Sequence, residues 1–276
     1  VPTPKNIHFF QNKVFILTGA GSGVGRKLAQ DLSALSARLV LCDINLDGLQ
    51  ETRKLVNPET SLFQKMDVRN YSDWEVVLRS ALEKWNQVDY LLNVAGYLLP
   101  GYIHETNREE IDKHIDINIK GVANGIHVIS RQMVKQSSGH IINIASLAGL
   151  SPVPGLDLYS CTKFAVRGLS LSVAPELKKK GVYVSVLCPD AIRTPMLDIQ
   201  ADKKESRLTF SGKILEVQDI SNIIVNNIIP RKTIEVAIPA YRGFLAKLPT
   251  LFPGFMEHLL PLFLKLGSQN QSKYKV

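Results

Sequence analysis

The chain has 276 residues, of which 45% are hydrophobic and 21% charged, with 33 basic and 25 acidic side chains and a formal net charge of +8. That profile excludes a disordered chain, a collagen-like repeat and a disulfide scaffold, and it is rich enough in apolar residues for one large core. The charge is uneven: residues 1–200 hold 22 basic and 19 acidic side chains, residues 201–276 hold 11 and 6.

Along the chain, short β-branched runs alternate with longer segments in which apolar residues recur three and four apart. Residues 14–18 read as a first strand, 23–37 as a helix, 38–43 as a second strand, and 61–67 as a third strand after a helix through Leu49 and Val56. Trp74, Val77, Leu78, Ala81, Leu82 and Trp85 fall on one helical face, and 88–93 is a fourth strand. Ile111, Ile115, Ile119, Val122, Ile126, Ile129 and Met133 mark one long helix before a fifth strand at 140–145. Residues 158–179 read as a helix closed by Gly181, and 182–188 as a sixth strand ended by Pro189. A capped helix after Asp219 runs through Ile229, and 233–238 is a seventh strand. This alternation predicts one α/β domain over residues 1–243, a doubly wound, Rossmann-type parallel sheet of seven strands with helices on both faces. Residues 244–276 read as an extension of it, since no repeat or low-complexity linker marks a second domain.

Cys42, Cys161 and Cys188 are odd in number and have no paired spacing. They read as reduced thiols in a cytoplasmic protein, with no metal site. Residues 1–11 carry neither a cationic lead nor a long apolar run, so no signal peptide is expected. Zinc-finger spacing, a basic zipper and aromatic residues interleaved with basic ones are all missing from the sequence, so no nucleic-acid partner is expected.

Thr18-Gly19-Ala20-Gly21-Ser22-Gly23-Val24-Gly25 lies where the first strand meets the first helix. Glycines there let the backbone approach a pyrophosphate, and the helix N-terminus offers it unpaired N–H groups. Asp43 ends the second strand, twenty residues beyond Gly23, where a carboxylate accepts from the adenosine ribose hydroxyls and repels a 2′-phosphate. Neither Ser22 nor Ile44 supplies a cation against that repulsion. The expected cofactor is NAD.

With these residues the sequence resembles the short-chain dehydrogenase/reductase family. The glycine turn matches T-G-x-x-x-G-x-G, Asn93-Val94-Ala95-Gly96 is similar to N-x-A-G, Ser146 follows the fifth strand, and Tyr159-Ser160-Cys161-Thr162-Lys163 matches Y-x-x-x-K. Tyr159 and Lys163, four apart on a helix, project from one face, where an ammonium favours the phenolate. A general base near neutrality needs a tyrosine pKa of about 10 to fall by roughly three units, or about 4 kcal/mol, and a second cation, the oxidised nicotinamide, is needed beside Lys163. Ser146 can hold the reacting oxygen beside Tyr159. The resemblance implies that Lys163 also bonds the nicotinamide ribose and that Asn118 holds a water linking Lys163 to solvent. It further implies cofactor contacts from Thr18, Gly19, Ser22, Gly23, Val24, Gly25, Asn93, Ala95 and Gly96, and adenine contacts from Asp67 and Val68. Pro189, Ile192 and Thr194, in a segment similar to P-G-x-x-x-T, would hold the nicotinamide carboxamide. Asp190 stands where that pattern has glycine, which puts the local backbone in question.

The expected substrate wall is Tyr97, Leu98, Leu147 and Val153 with Ser146 and Tyr159, mostly apolar, and Arg193 is the one cation that could serve there. A lipophilic secondary alcohol or ketone, such as a steroid, a retinoid or an acyl-chain alcohol, suits it. Residues 244–266 are rich in Leu, Phe and Met but interrupted by Pro249, Pro253, Pro261 and charged side chains, which excludes a spanning helix. A lid, an oligomer contact and a membrane-surface segment all remain open for it. The family further implies a homodimer or homotetramer. The main expectation is an NAD-dependent dehydrogenase. The alternatives are an NADP(H)-dependent carbonyl reductase of the same fold and a non-catalytic dinucleotide-binding module.

Overall fold

The computed structural model describes residues 4–274, with the side chains of Pro4, Lys5, Asn6, Phe255, Met256, Glu257 and Leu259 outside the described set. Seven parallel strands form one sheet in the order β3-β2-β1-β4-β5-β6-β7. They are β1 (Val14–Thr18), β2 (Arg38–Asp43), β3 (Ser61–Lys65), β4 (Tyr90–Asn93), β5 (Gly139–Ile144), β6 (Val182–Pro189) and β7 (Glu235–Ile238). Helices α1 (Gly23–Ala34), α2 (Leu46–Arg53), α3 (Tyr71–Trp85), α4 (Arg108–Ile115), α5 (Gly121–Lys135), α6 (Asp157–Lys178), α7 (Pro195–Asp198), α8 (Val217–Ile223) and α9 (Ile229–Arg231) surround it, and α10 (Ala240–Leu251) and α11 (Pro253–Tyr274) follow the last strand.

Side chains alternate across the pleat, so each strand supplies two cores. Val14, Ile16, Val40, Leu91, Ile141 and Val184 pack with Trp74, Ile129 and Met133 on one face. Phe15, Leu17, Leu39, Leu41 and Leu92 pack with Leu28, Leu32, Leu49 and Ile224 on the other. Each such fully buried side chain contributes about 1.5–3 kcal/mol relative to an exposed one.

Among the boundaries that depart from the sequence reading, four have a local reason. The first helix ends at Ala34, because Ser36 adopts a left-handed conformation at φ 60°. The third strand ends at Lys65, with Met66 N–H still donating to Asp43 O at 3.0 Å while Asp67 turns away. The helix expected across 111–133 is split by a π-turn at Asp116–Lys120. The late helix begins at Val217 rather than after Asp219, since Glu216 is its N-cap and Asp219 closes a capping box, and a second π-turn at Ile224–Ile228 interrupts it.

Candidate active site

The crossovers reverse direction between β1 and β4, and at that carboxyl edge open α/β sheets leave a crevice. A cleft of about 1570 Å³ lies there, larger than one small ligand fills. Its floor is the glycine turn. Gly19 has φ +70°, and a Cβ at Gly25 would stand 2.0 Å from Gly19 O, so the helix can begin this close to the strand only without a side chain. Gly19, Ser22, Gly23, Val24 and Gly25 all line the cleft. Thr18 does not. Its buried Oγ1 accepts from Val94 N–H at 3.1 Å and Ala95 N–H at 3.2 Å, tying β1 to the end of β4, so it shapes the floor from beneath. Asn93 is also turned away, donating from Nδ2 to Asn143 Oδ1 at 2.8 Å inside the core. Thr18 and Asn93, expected among the cofactor contacts, have their side chains engaged beneath the cleft, while Ala95 and Gly96 face it.

Asp43 closes β2 at the cleft's edge, its Oδ2 accepting from Gly21 N–H at 2.8 Å and its Oδ1 from Asn45 N–H at 2.9 Å. These bonds brace the glycine turn and aim the carboxylate along it. Asp67 and Val68 line the same side. The Asp67 carboxyl is held below the usual carboxylate range by hydrogen bonds from the Arg69 guanidinium, 2.6 Å from Nη2 to Oδ2. That fork was not legible in the sequence.

Ser146, Tyr159 and Lys163 meet across the cleft from the glycine turn. Ser146 Oγ accepts from Ala148 N–H at 3.1 Å and donates to Pro189 O at 3.4 Å, beside Tyr159. Lys163 Nζ donates to Ile144 O at 2.9 Å and lies 5.4 Å from the centroid of the Tyr159 ring. Burial pushes the Tyr159 phenol up to about 12, against a smaller lowering by the neighbouring Ser146 hydroxyl, and pushes the Lys163 ammonium down to about 8. Without a further positive charge this tyrosine is an acid, not a base.

Asn118, at the centre of the first π-turn, is fully buried. Its Oδ1 accepts from Tyr97 N–H at 2.7 Å, and its Nδ2 donates to Tyr97 O at 2.8 Å and to Thr162 Oγ1 at 3.0 Å. Both amide hydrogens are thus used within the protein, and the side chain pins the segment after β4 to α6. A Cβ at Gly96 would fall 3.5 Å from Asn118 Oδ1 and 3.7 Å from Lys163 Nζ, so Gly96 keeps the space between them open.

Pro189, Ile192 and Thr194 line the cleft, and Thr194 packs against the glycine turn, its Cγ2 lying 3.0 Å from where a Cβ at Gly23 would be. Asp190 is accommodated without positive φ. Its N–H donates to Ile238 O at 2.9 Å, and its side chain turns to Arg242 of α10, Nε to Oδ2 2.5 Å. Arg193 does not serve the substrate wall as expected. It pairs with Glu216 at 3.0 Å and lies over the Tyr274 ring. Arg242 lines the cleft instead, and local pattern could not single it out.

Tyr97, Leu98, Leu147 and Val153 line the cleft, Tyr97 donating from its hydroxyl to Glu110 Oε2 at 2.5 Å. The extension completes the wall with Leu245, Leu248, Pro249, Leu260, Phe263 and Leu266. It is tied down at its far end, where Asn270 Nδ2 donates to Phe210 O at 3.0 Å and Gln271 Nε2 to Gln200 O at 2.9 Å. No helix among the described residues is long and apolar enough to cross a membrane, and among them no cluster of His, Cys, Asp and Glu could hold a metal.

A short chain dehydrogenase family model matches residues 13–205. An uncharacterized oxidoreductase of Staphylococcus saprophyticus is 34% identical over 195 residues, 70% of this chain and 79% of that protein. Among solved structures, a short chain dehydrogenase/reductase from Burkholderia phymatum in complex with NAD superposes with a TM-score of 0.81 at 27% identity, over 90% of this chain and 96% of that one. ElxO with NADP bound superposes at 0.73 with 26% identity, over 83% and 97%. The chain belongs to the short-chain dehydrogenase/reductase family and is an oxidoreductase whose fold binds a nicotinamide dinucleotide. The glycine turn, the open space at Gly96 and the carboxylate of Asp43 fit such a group.

Proposed function

We propose that this enzyme is a dehydrogenase that uses NAD to oxidise lipophilic secondary alcohols. The observation that carries the coenzyme choice is Asp43, a carboxylate braced at the end of β2 beside Ile44, with the Arg26 guanidinium of α1 already engaged by Gly21 O, Gly48 O and Thr52 Oγ1. A 2′-phosphate of charge about −2 placed some 5 Å from that carboxylate, through an effective dielectric of about 40, meets a repulsion of ~3 kcal/mol, or about a hundredfold in affinity. Fluorescence titration with NADH and NADPH side by side is the test. NADH is expected to bind about a hundredfold more tightly, and Asp43→Ala to narrow the gap. Equal affinities, or tighter NADPH, would replace this reading with an NADP(H)-dependent carbonyl reductase.

The residues divide the chemistry. The bound coenzyme supplies the hydride acceptor. Ser146 holds the substrate oxygen, Tyr159 takes the hydroxyl proton, and the Lys163 ammonium stabilises the phenolate; Lys163 would also hold the nicotinamide ribose of a bound coenzyme. Asn118 keeps Tyr97 and α6 in register. The apolar wall supports a lipophilic substrate.

The outer side of the same wall supports contact with a lipid surface. Phe244, Leu251, Phe252 and Leu262 are exposed, Phe244 by 70%, on and between helices whose inner side lines the cleft. The basic surplus of residues 201–276 suits anionic headgroups. A homodimer or homotetramer through α5 and α6 is part of the same proposal, and sedimentation analysis tests it.

A further inference from the structure

Arg242 is the one cation that α10 and α11 contribute to the cleft lining, and it is not free. Its Nε stands 2.5 Å from Asp190 Oδ2, with the two side chains 23% and 9% exposed, and its Nη2 donates to Ser211 Oγ at 3.2 Å. The Asp190 Oδ1 accepts from Ala191 N–H at 2.9 Å, whereas Oδ2 receives no aligned N–H and is held by charge alone. A Cβ at Gly212 would come within 2.5 Å of the guanidinium carbon and 2.8 Å of Asp190 Oδ2, so positions 190, 212 and 242 fit one another. The pair sits beside the reacting centre, because Pro189, the neighbour of Asp190, accepts from Ser146 Oγ. Of the other cations lining the cleft, Arg69 is paired with Asp67 and Lys113 with Glu109 and Glu110, while Lys163 donates to Ile144 O beside Tyr159.

We propose that Asp190 is a specificity-determining residue: as counter-ion to Arg242 inside the cleft it excludes carboxylate-bearing amphiphiles and reserves the site for uncharged lipophilic alcohols and ketones. This deepens the dehydrogenase reading and rests on it. A ligand carboxylate reaching Arg242 meets a second carboxylate already seated there, in surroundings with little water to screen the repulsion. An uncharged hydroxyl or carbonyl can still accept from guanidinium N–H groups that Asp190 and Ser211 leave unused. With Asp190 neutral, Arg242 becomes a carboxylate receptor.

The test uses the full chain with two fluorescent probes that share one acyl chain, cis-parinaric acid and its methyl ester, titrated near neutrality. The expected result is that the wild type prefers the ester by about tenfold or more, and that Asp190→Asn tightens the acid by about ten- to hundredfold while the ester changes by less than about twofold. Arg242→Gln, which leaves Asp190 as a lone charge, lowers acid binding further, and Asp190→Asn with Arg242→Gln removes the gain. Equal binding of acid and ester by the wild type, or an acid-to-ester ratio unmoved by Asp190→Asn, overturns the proposal. NADH titration on the same preparations separates the two readings: loss of NADH binding refutes the dehydrogenase reading, while the probe ratio reports on the ion pair alone.

Discussion

Tyr159 provides the sharpest test of the chemistry, because its burial and its function pull in opposite directions. In the protein without coenzyme the phenol is pushed up to about 12 and the neighbouring Lys163 down to about 8, both chiefly by burial. To work as a base near pH 8 the phenol must fall by about four units, or ~5 kcal/mol. A charged Lys163 about 5 Å away, through an effective dielectric of about 20, supplies ~3 kcal/mol. Above pH 8 even that fades, because Lys163 loses its proton before Tyr159 does. The remaining ~2 kcal/mol has to come from a second cation, and oxidised nicotinamide carries one where reduced nicotinamide does not. Ultraviolet difference spectra of phenolate, with Tyr159→Phe as baseline, are therefore expected to show no Tyr159 ionisation at pH 8 in the free protein or with NADH. About one phenolate should appear on saturation with NAD+, and Lys163→Met should diminish it strongly. A Tyr159 phenolate at pH 8 without coenzyme, or equal signals with NAD+ and NADH, would refute the reasoning.

Three further outcomes are expected. Gly25→Ala places a Cβ 2.0 Å from Gly19 O, which must move; urea unfolding should show a loss of about 1–3 kcal/mol, and NADH affinity should drop by tenfold or more, whereas unchanged affinity would remove the turn from the coenzyme site. His140 is held down to about 3 by burial, its Nε2 bonded to Ser185 Oγ at 2.8 Å, so it folds neutral. The unfolded chain, with an ordinary histidine pKa, binds the extra proton first. The stability this site confers is thus present above pH 6.5 and lost progressively from there down to about pH 3, by up to ~5 kcal/mol. His140→Asn should flatten that part of the acid-unfolding curve. Flotation with vesicles rich in anionic lipid should carry the wild type upward and leave Phe244→Asp/Leu251→Asp/Phe252→Asp behind, and no flotation of the wild type would exclude the lipid contact.

Period alone carried the sheet. Residues two apart on a strand face one core, and residues three or four apart on a helix face the sheet, so seven strands and their crossover helices were visible in the order of apolar side chains. The glycine turn, Asp43 and the Tyr159–Lys163 pair were equally legible, because turn, strand end and helix face each fix a local spacing. The π-turn around Asn118 was less so, since one added residue in a turn leaves the apolar pattern almost intact. Only tertiary structure could turn Thr18 and Asn93 inward, send Arg193 to Glu216 and bring Arg242 to Asp190, 52 positions earlier in the chain. Those pairings depend on where β6, β7 and α10 end in space, and no local period encodes the meeting of two chain segments. The same holds for the extension, whose apolar residues were plain in the sequence but whose inner side became a cleft wall only when α10 and α11 folded back over Ser146 and Tyr159.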